Sequence, residues 1–218
     1  MMKILLLTDI HGQYDTIPDF MELAPDMVII AGGDITDCGD PQEANEVFKQ
    51  IDVPCFAIPG NCDARQILDV IEYSDAVNLH GTSLEIGQVT FTGVGGSNPT
   101  PFNTPFELSE EELGGELLGG KAKQRARQNV HNILITHAPP PYCTLDDIGG
   151  THVGCRCFRE SLKDFDLVCC GHIHDHTGGV VEIEGTLVVN PGPASEGKCA
   201  LITLGDEAKE IEVEFVTL

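Results

Sequence analysis

Short apolar runs that each break off at Asp, Asn or His constrain this chain more than any other feature. Residues 3–8 run into Asp9 and His11 in TDIHG, and residues 27–31 run into Asp34 and Asp37 in GGDITD. Residues 55–58 lead to Asn61, Cys62 and Asp63 in PGNCD, 133–136 to His137 in ITHAPP, and 167–170 to His172 and His174 in GHIHDH. Together with residues 89–94, these short runs bounded by Gly, Asn and Asp read as buried strands. Candidate helices at 16–23, 41–50 and 64–71 alternate with the first of them. The second opens with Asp40 as a cap and Pro41 at the first helical position. Such alternation predicts an α/β layout. In a sheet of this type the C-terminal strand ends share one edge, where ligands bind. Residues far apart in sequence therefore converge on one cleft.

After residue 178 the pattern becomes strand-like, at 180–183, 186–189, 200–203 and 210–215, with a hairpin turn at Glu184-Gly185. Two stretches interrupt the rhythm. Residues 96–130 form a proline-rich loop followed by a helix, opened by Ser109 and Glu112 at capping-box spacing and weakened by glycine pairs at 114–115 and 119–120. Residues 138–154 follow His137 with three prolines. Loops of this length are lids, binding loops or mobile segments. The chain, 1–218, thus reads as a single domain with a lid or insert at 96–130.

Composition narrows the partners. With 12 Lys and Arg against 35 Asp and Glu, the formal charge is −23. Such a surface repels nucleic acid and anionic membranes, so general nucleic-acid binding is not expected. It suits solubility in a salty cytoplasm and, compatibly, attraction of divalent cations. No run reaches the roughly 20 apolar residues of a membrane span. The N-terminal apolar run passes straight into Asp9 and reads as a first strand rather than a signal peptide. Nine cysteines without framework spacing point to a reducing, cytoplasmic setting. Cys155 and Cys157 lack the second pair that a zinc ribbon needs. His80, His131 and His176 match no motif and are expected at the surface. Lys121, Lys123, Arg125 and Arg127 read as a solvated helix face or as a lid helix steering an anion. Arg156 and Arg159 are weaker candidates for phosphate contact.

The strand-end residues share a chemistry. Carboxylate, imidazole and amide oxygen together suit Mn, Fe or Zn better than Mg. Asp9, His11, Asp34, Asn61, His137, His172 and His174 are too many donors for one tetrahedral ion and enough for two ions sharing a carboxylate. Two divalent ions outweigh the charges of Asp9 and Asp34, leaving a positive pocket suited to a phosphate ester. They would clamp phosphoryl oxygens and activate a water as the nucleophile.

The blocks D-x-H, G-D-x-x-D, G-N-x-D, a strand-end His and G-H-x-H, in that order over residues 9–174, resemble the calcineurin-like metallophosphoesterase superfamily. The GNCD block is similar to a branch of small prokaryotic phosphodiesterases within it. The resemblance implies a four-layer α-β-β-α sandwich of two mixed β-sheets. It implies one metal held by Asp9, His11, Asp34 and His174, and another by Asp34, Asn61, His137 and His172, with Asp34 bridging. The activity implied is metal-dependent phosphohydrolysis of a small phosphate ester, most directly a phosphodiester, with Asn61 helping to stabilise charge on the phosphoryl oxygens. The alternatives are a phosphomonoesterase, including a protein phosphatase, and a non-catalytic protein-interaction scaffold on the same fold.

One position departs from the pattern. Many members carry histidine where this chain has Cys62; that histidine is thought to protonate the leaving oxygen, oriented by the residue corresponding to Asp37. The pair here would be Asp37 and Cys62, and a thiol is a poorer proton donor than imidazolium. Either the enzyme favours good leaving groups, or another group, for which His152 is the candidate, donates the proton.

Overall fold

The computed structural model describes residues 1–31, 33–123, 129–176 and 178–218. The first part alternates β1 (Met2–Leu7), α1 (Ile17–Met21), β2 (Met27–Ile30), α2 (Asn45–Phe48), β3 (Cys55–Ala57), α3 (Ile67–Glu72) and β4 (Val77–Asn78). A hairpin of β5 (Thr82–Ile86) and β6 (Val89–Val94) precedes α4 (Glu110–Lys123) and β7 (His131–Thr136). The short pair β8 (Asp147–Ile148) and β9 (Thr151–His152) leads to α5 (Arg156–Ser161) and β10 (Leu167–Cys169). The chain closes with β11 (Gly179–Ile183), β12 (Thr186–Asn190), β13 (Lys198–Leu204) and β14 (Ile211–Thr217).

Two six-stranded sheets result, ordered β14-β13-β1-β2-β3-β4 and β11-β12-β10-β7-β6-β5. Strands β1 to β4 are parallel, β13 pairs antiparallel with β1, and β14 pairs antiparallel with β13. In the second sheet β12, β10, β7 and β6 are parallel, with β11 and β5 antiparallel at the edges. Both sheets are therefore mixed.

Strand alternation builds the layers. Ile4 and Leu6 of β1 meet Phe56, Phe91 and Ile133 between the sheets, whereas Leu5 and Leu7 pack under Ile17, Phe20, Val47 and Ile67 of the first helices. In the second sheet Leu134, Val168 and Val188 point outward against Leu113 and Leu117 of α4 and Phe158 of α5. Strands buried on both faces read as unbroken apolar runs rather than as alternation, which is why the central strands stand out in the sequence.

Several expectations change. The first two helices begin as tight turns at Tyr14–Thr16 and Pro41–Ala44, and α3 starts at Ile67. The capping box at Ser109 forms as expected, with the Glu112 amide bonding Ser109 Oγ at 3.2 Å and the Ser109 amide bonding Glu112 Oε2 at 2.8 Å. The buried Leu113 and Leu117 make α4 part of the outer layer over the second sheet. Lys121 and Lys123 fall in its last turn, and Arg125 and Arg127 lie outside the described residues. His131 is not a surface residue: β7 begins there, its side chain is 1% exposed, and Nε2 lies 2.9 Å from Gly205 O. His80 is half-buried, with Nδ1 accepting the Gly95 amide at 3.0 Å and the ring edge-on to Phe106. The side chain of His176 is not among those described.

Candidate metal centre

Each strand-end block delivers its side chains to one place, and the backbone is contorted there. Asp9, His11, Asp34 and His172 all take the left-handed conformation, at φ 54°, 46°, 37° and 70°. For a residue with a Cβ this costs ~1–2 kcal/mol and persists only where the surroundings impose it. Hydrogen bonds impose it here. The His11 amide donates to Asp34 O at 2.7 Å, the Cys62 amide to Asp34 Oδ1 at 2.7 Å, and the His172 amide to Asp9 Oδ2 at 3.1 Å. Two motif glycines clear the space. A Cβ on Gly171 would overlap Thr8 Oγ1 and Asp9 Oδ2, and one on Gly60 would overlap the Asp34 carboxylate and amide.

The donors form a continuous chain. Asp9 Oδ1 lies 3.2 Å from His174 Nε2 and 3.9 Å from His11 Nε2. Asp34 Oδ2 lies 3.8 Å from His11 Nε2 and 3.6 Å from His137 Nε2. His137 Nε2 lies 2.6 Å from Asn61 Oδ1 and 3.1 Å from His172 Nδ1. Asp34 thus stands between Asp9, His11 and His174 on one side and Asn61, His137 and His172 on the other. Donor atoms of Asp9, Asp34 and His137 all fall within 4.8 Å of one another, as do those of Asp9, His11 and His174.

The donor set fits a cation. Nε2 of His11 is buried with no hydrogen-bond partner, an arrangement that is costly for a lone polar atom and natural for a ligand. Burial pushes the Asp34 carboxyl well up, and the neighbouring Asp9 charge adds to this. Burial also pushes Asp9 up, but the hydrogen bond from His174 and the charges of His137 and His174 outweigh it and hold Asp9 below the usual carboxylate range. Burial brings His172 down to about 4, so its imidazole is a neutral donor near neutral pH. Among the described residues, histidines alone pair with the two acids. A divalent ion would supply the missing positive charge.

Three residues hold the site's turns and side chains in place, in roles the sequence did not assign to them. Buried Asp63, the last residue of GNCD, accepts the amides of Gly60, Ile35 and Thr36 at 2.9, 3.2 and 2.8 Å, tying the Asn61 turn to the Asp34 turn. Its place in the motif was the signal that could have found it. Thr104 Oγ1 accepts Asn61 Nδ2 at 3.0 Å and so aims the amide oxygen at His137. Asn190 Nδ2 donates to Gly171 O and Ile173 O, at 3.3 and 2.9 Å. Nothing in the sequence near Thr104 or Asn190 marks them.

Among the described residues, no hydrogen bond joins Asp37 to Cys62. Asp37 is 72% exposed and its Oδ1 lies 3.4 Å from Nδ1 of His11. The Cys62 thiol lies 3.5 Å from Asn61 Nδ2, and burial followed by the Asp34 charge pushes it well above its ordinary value. Thr151 and Val153 line the same cavity as His172, and His152 does not. His152 instead meets Asp146 Oδ1 at 2.9 Å and the Tyr142 ring edge. Arg159 pairs with Glu184 at 3.2 Å, and Arg156 is exposed. Cys155 and Cys157, their sulfurs 3.2 Å apart, surround Glu110, whose carboxylate accepts the amides that open α5.

The model of a family described as calcineurin-like phosphoesterase matches residues 2–176. An uncharacterized protein of Methanocaldococcus jannaschii is 35% identical over 205 residues, covering 89% of each chain. A probable glycerophosphodiester phosphodiesterase of Arcobacter nitrofigilis is 29% identical over 179 residues, or 76% of this chain and 64% of that protein. A crystal structure of a Thermus thermophilus protein superposes with a TM-score of 0.75 at 20% identity, covering 98% of both chains.

Proposed function

This chain belongs to the calcineurin-like phosphoesterase family and is a metal-dependent hydrolase of phosphoric esters, and we propose that its substrates are phosphodiesters hydrolysed with the help of two divalent ions. The observation that carries the two-ion reading is the place of Asp34 Oδ2, between His11 and His137. Asp9, His11 and His174 would hold one ion with Asp34, and Asn61, His137 and His172 the other with the same carboxylate. Bound there, the ions supply Lewis acidity for the phosphoryl oxygens and lower the pKa of the attacking water. The diester preference is supported by similarity to the probable glycerophosphodiester phosphodiesterase.

The chain's own residues have separate tasks. Asn61, held by Thr104, presents its amide beside the phosphoryl group. Asp37 fixes the ring of His11 through Nδ1, which leaves Nε2 to face the acids. Cys62 fills the space beside Asn61. Without a histidine in that space, departure of the ester oxygen relies on its own acidity, and the enzyme favours good leaving groups.

Metal analysis of the purified protein and hydrolysis of bis-p-nitrophenyl phosphate with added manganese test the reading. About two equivalents of metal and turnover support it, and retained metal at one equivalent would remove the second ion. A series of aryl methyl phosphates tests the leaving-group argument. The expected rate falls steeply as leaving-group pKa rises, and a flat series would mean that a proton donor is at work after all.

A further inference from the structure

Cys155 and Cys157 lack a second cysteine pair in the sequence, and the fold brings them a carboxylate instead. Glu110 opens α4, Cys155 stands just ahead of α5, and Cys157 lies in the first turn of α5. Cys155 Sγ lies 3.2 Å from Cys157 Sγ and 3.2 Å from Glu110 Oε2. The two sulfurs and one carboxylate oxygen all fall within 4.8 Å of one another. None of the three residues belongs to the centre at the strand ends. Backbone bonds hold the donors in place. The Glu110 carboxylate accepts the amides of Arg156 and Cys157 at 2.9 and 3.1 Å, and the Cys155 amide donates to Pro139 O at 2.9 Å.

The thiol protons are what a cation would replace. Cys155 donates its S–H to Glu110, which leaves Cys157 to donate to Cys155. The contact with Cys157, and then burial, push the Cys155 thiol well above its ordinary value. A thiol held so high does not attack a disulfide, because the thiolate is the nucleophile. A metal ion in direct contact, by contrast, deprotonates a coordinating thiol outright. The cluster is also open to solvent. Cys157 and Glu110 are half-buried, and Glu110 borders a cavity of about 310 Å³ between the proline-rich stretch and the loop that follows His137.

We propose that Glu110, Cys155 and Cys157 form a separate metal site for a thiophilic divalent ion, zinc first among them, with water in the fourth tetrahedral position. The two thiol protons leave to solvent as the two sulfurs and the carboxylate oxygen bind the ion. Sulfurs about 2.3 Å from a tetrahedral zinc stand roughly 3.8 Å apart, so this pair opens by only about 0.6 Å. Two thiolates select against Mn and Mg, and the carboxylate oxygen selects against Cu(I). The preference therefore differs from that of the carboxylate, imidazole and amide centre. The bound ion ties the start of α4 to the start of α5 and, through the Cys155 amide, to the loop after His137. The inference stands apart from the phosphoesterase reading, because the two sites share no residue.

Cadmium titration of the full, reduced chain already loaded with manganese tests the site. Charge transfer from thiolate to cadmium gives an ultraviolet band that nitrogen and oxygen ligands do not. The band should grow to saturation, and excess zinc should remove it. The double variant Cys155→Ser with Cys157→Ser should lose the band, whereas Cys38→Ser, at an exposed cysteine, should keep it. Glu110→Gln keeps both thiols and should weaken cadmium binding at least about ten-fold; it carries the test if the double variant fails to fold. No band in the unsubstituted chain, or a band that survives in the double variant, overturns the site. Unchanged affinity in Glu110→Gln removes the carboxylate and with it the assignment. Loss of a thiol pair on exposure to oxidised glutathione, with no cadmium bound by the reduced chain, would assign the pair to a disulfide instead. None of these readouts depends on hydrolysis of a phosphoester.

Discussion

At the scale of single residues, the centre depends on absences as much as on ligands. Gly171 has no Cβ because Thr8 and Asp9 occupy the space where one would sit. Gly171→Ala should destabilise the fold by about 2 kcal/mol, in the range of overpacking, and should lower the metal content. Urea unfolding and metal analysis measure the two effects, and normal values for both would mean that the Asp9 turn shifts freely. Thr104 acts at one remove. Thr104→Val deletes the acceptor for Asn61 Nδ2, worth about 1 kcal/mol, and should lower kcat/KM for bis-p-nitrophenyl phosphate about ten-fold. Thr104→Ser keeps the hydroxyl and should restore most of it; equal loss in both variants would point to the methyl group's packing instead. The seven metal-ligand candidates were legible in the sequence because each sits just past a buried apolar run; the strands that lead to them belong to both sheets, β1, β2 and β3 to the first and β7 and β10 to the second. Thr104 and Asn190 were not legible, since their tasks depend on which loop lands beside them.

At the scale of the element, the proline-rich segment shows how a loop acquires a shape. Glu107 Oε1 accepts Thr100 Oγ1, the Thr104 amide and Thr104 Oγ1, at 2.6, 2.9 and 2.8 Å. Slight burial pushes the carboxyl up, but the bonds from Thr100 and Thr104 outweigh it and hold Glu107 below its usual value of 4.5. A carboxylate lowered in the folded state stabilises fully above its unfolded pKa, and that contribution is lost as pH falls through the folded value. The segment should therefore loosen on acidification below about pH 4.5. Amide protection factors at Thr104, compared at pH 6 and pH 3.5, should fall, while Glu107→Gln should show a smaller pH dependence. Identical pH dependence in the variant would assign the loosening to another group. The helix after this segment was found in the sequence through its capping box, but its role was not. Capping is local information, whereas the packing of Leu113 and Leu117 onto the second sheet depends on residues far away in the chain.

At the scale of the molecule, a formal charge of −23 sets self-repulsion against the burial of three apolar layers. The Debye length shrinks from about 10 Å at 0.1 M salt to about 3 Å at 1 M, so potassium chloride should raise the unfolding temperature by several degrees over that range. A fall in Tm would mean that attractive pairs outweigh the repulsion. The described residues include no helix long and apolar enough to cross a membrane. By itself the sequence determined the strand–helix alternation, the family and the ligand candidates, because burial on both faces and polar strand ends are written into consecutive residues. The tertiary structure decided the rest. It set His152 beside Asp146 and Asp37 beside His11, buried His131, and closed two unrelated loops around one cavity. Those outcomes depend on which segments become neighbours, and that is fixed by the packing of the whole chain rather than by any local stretch of it.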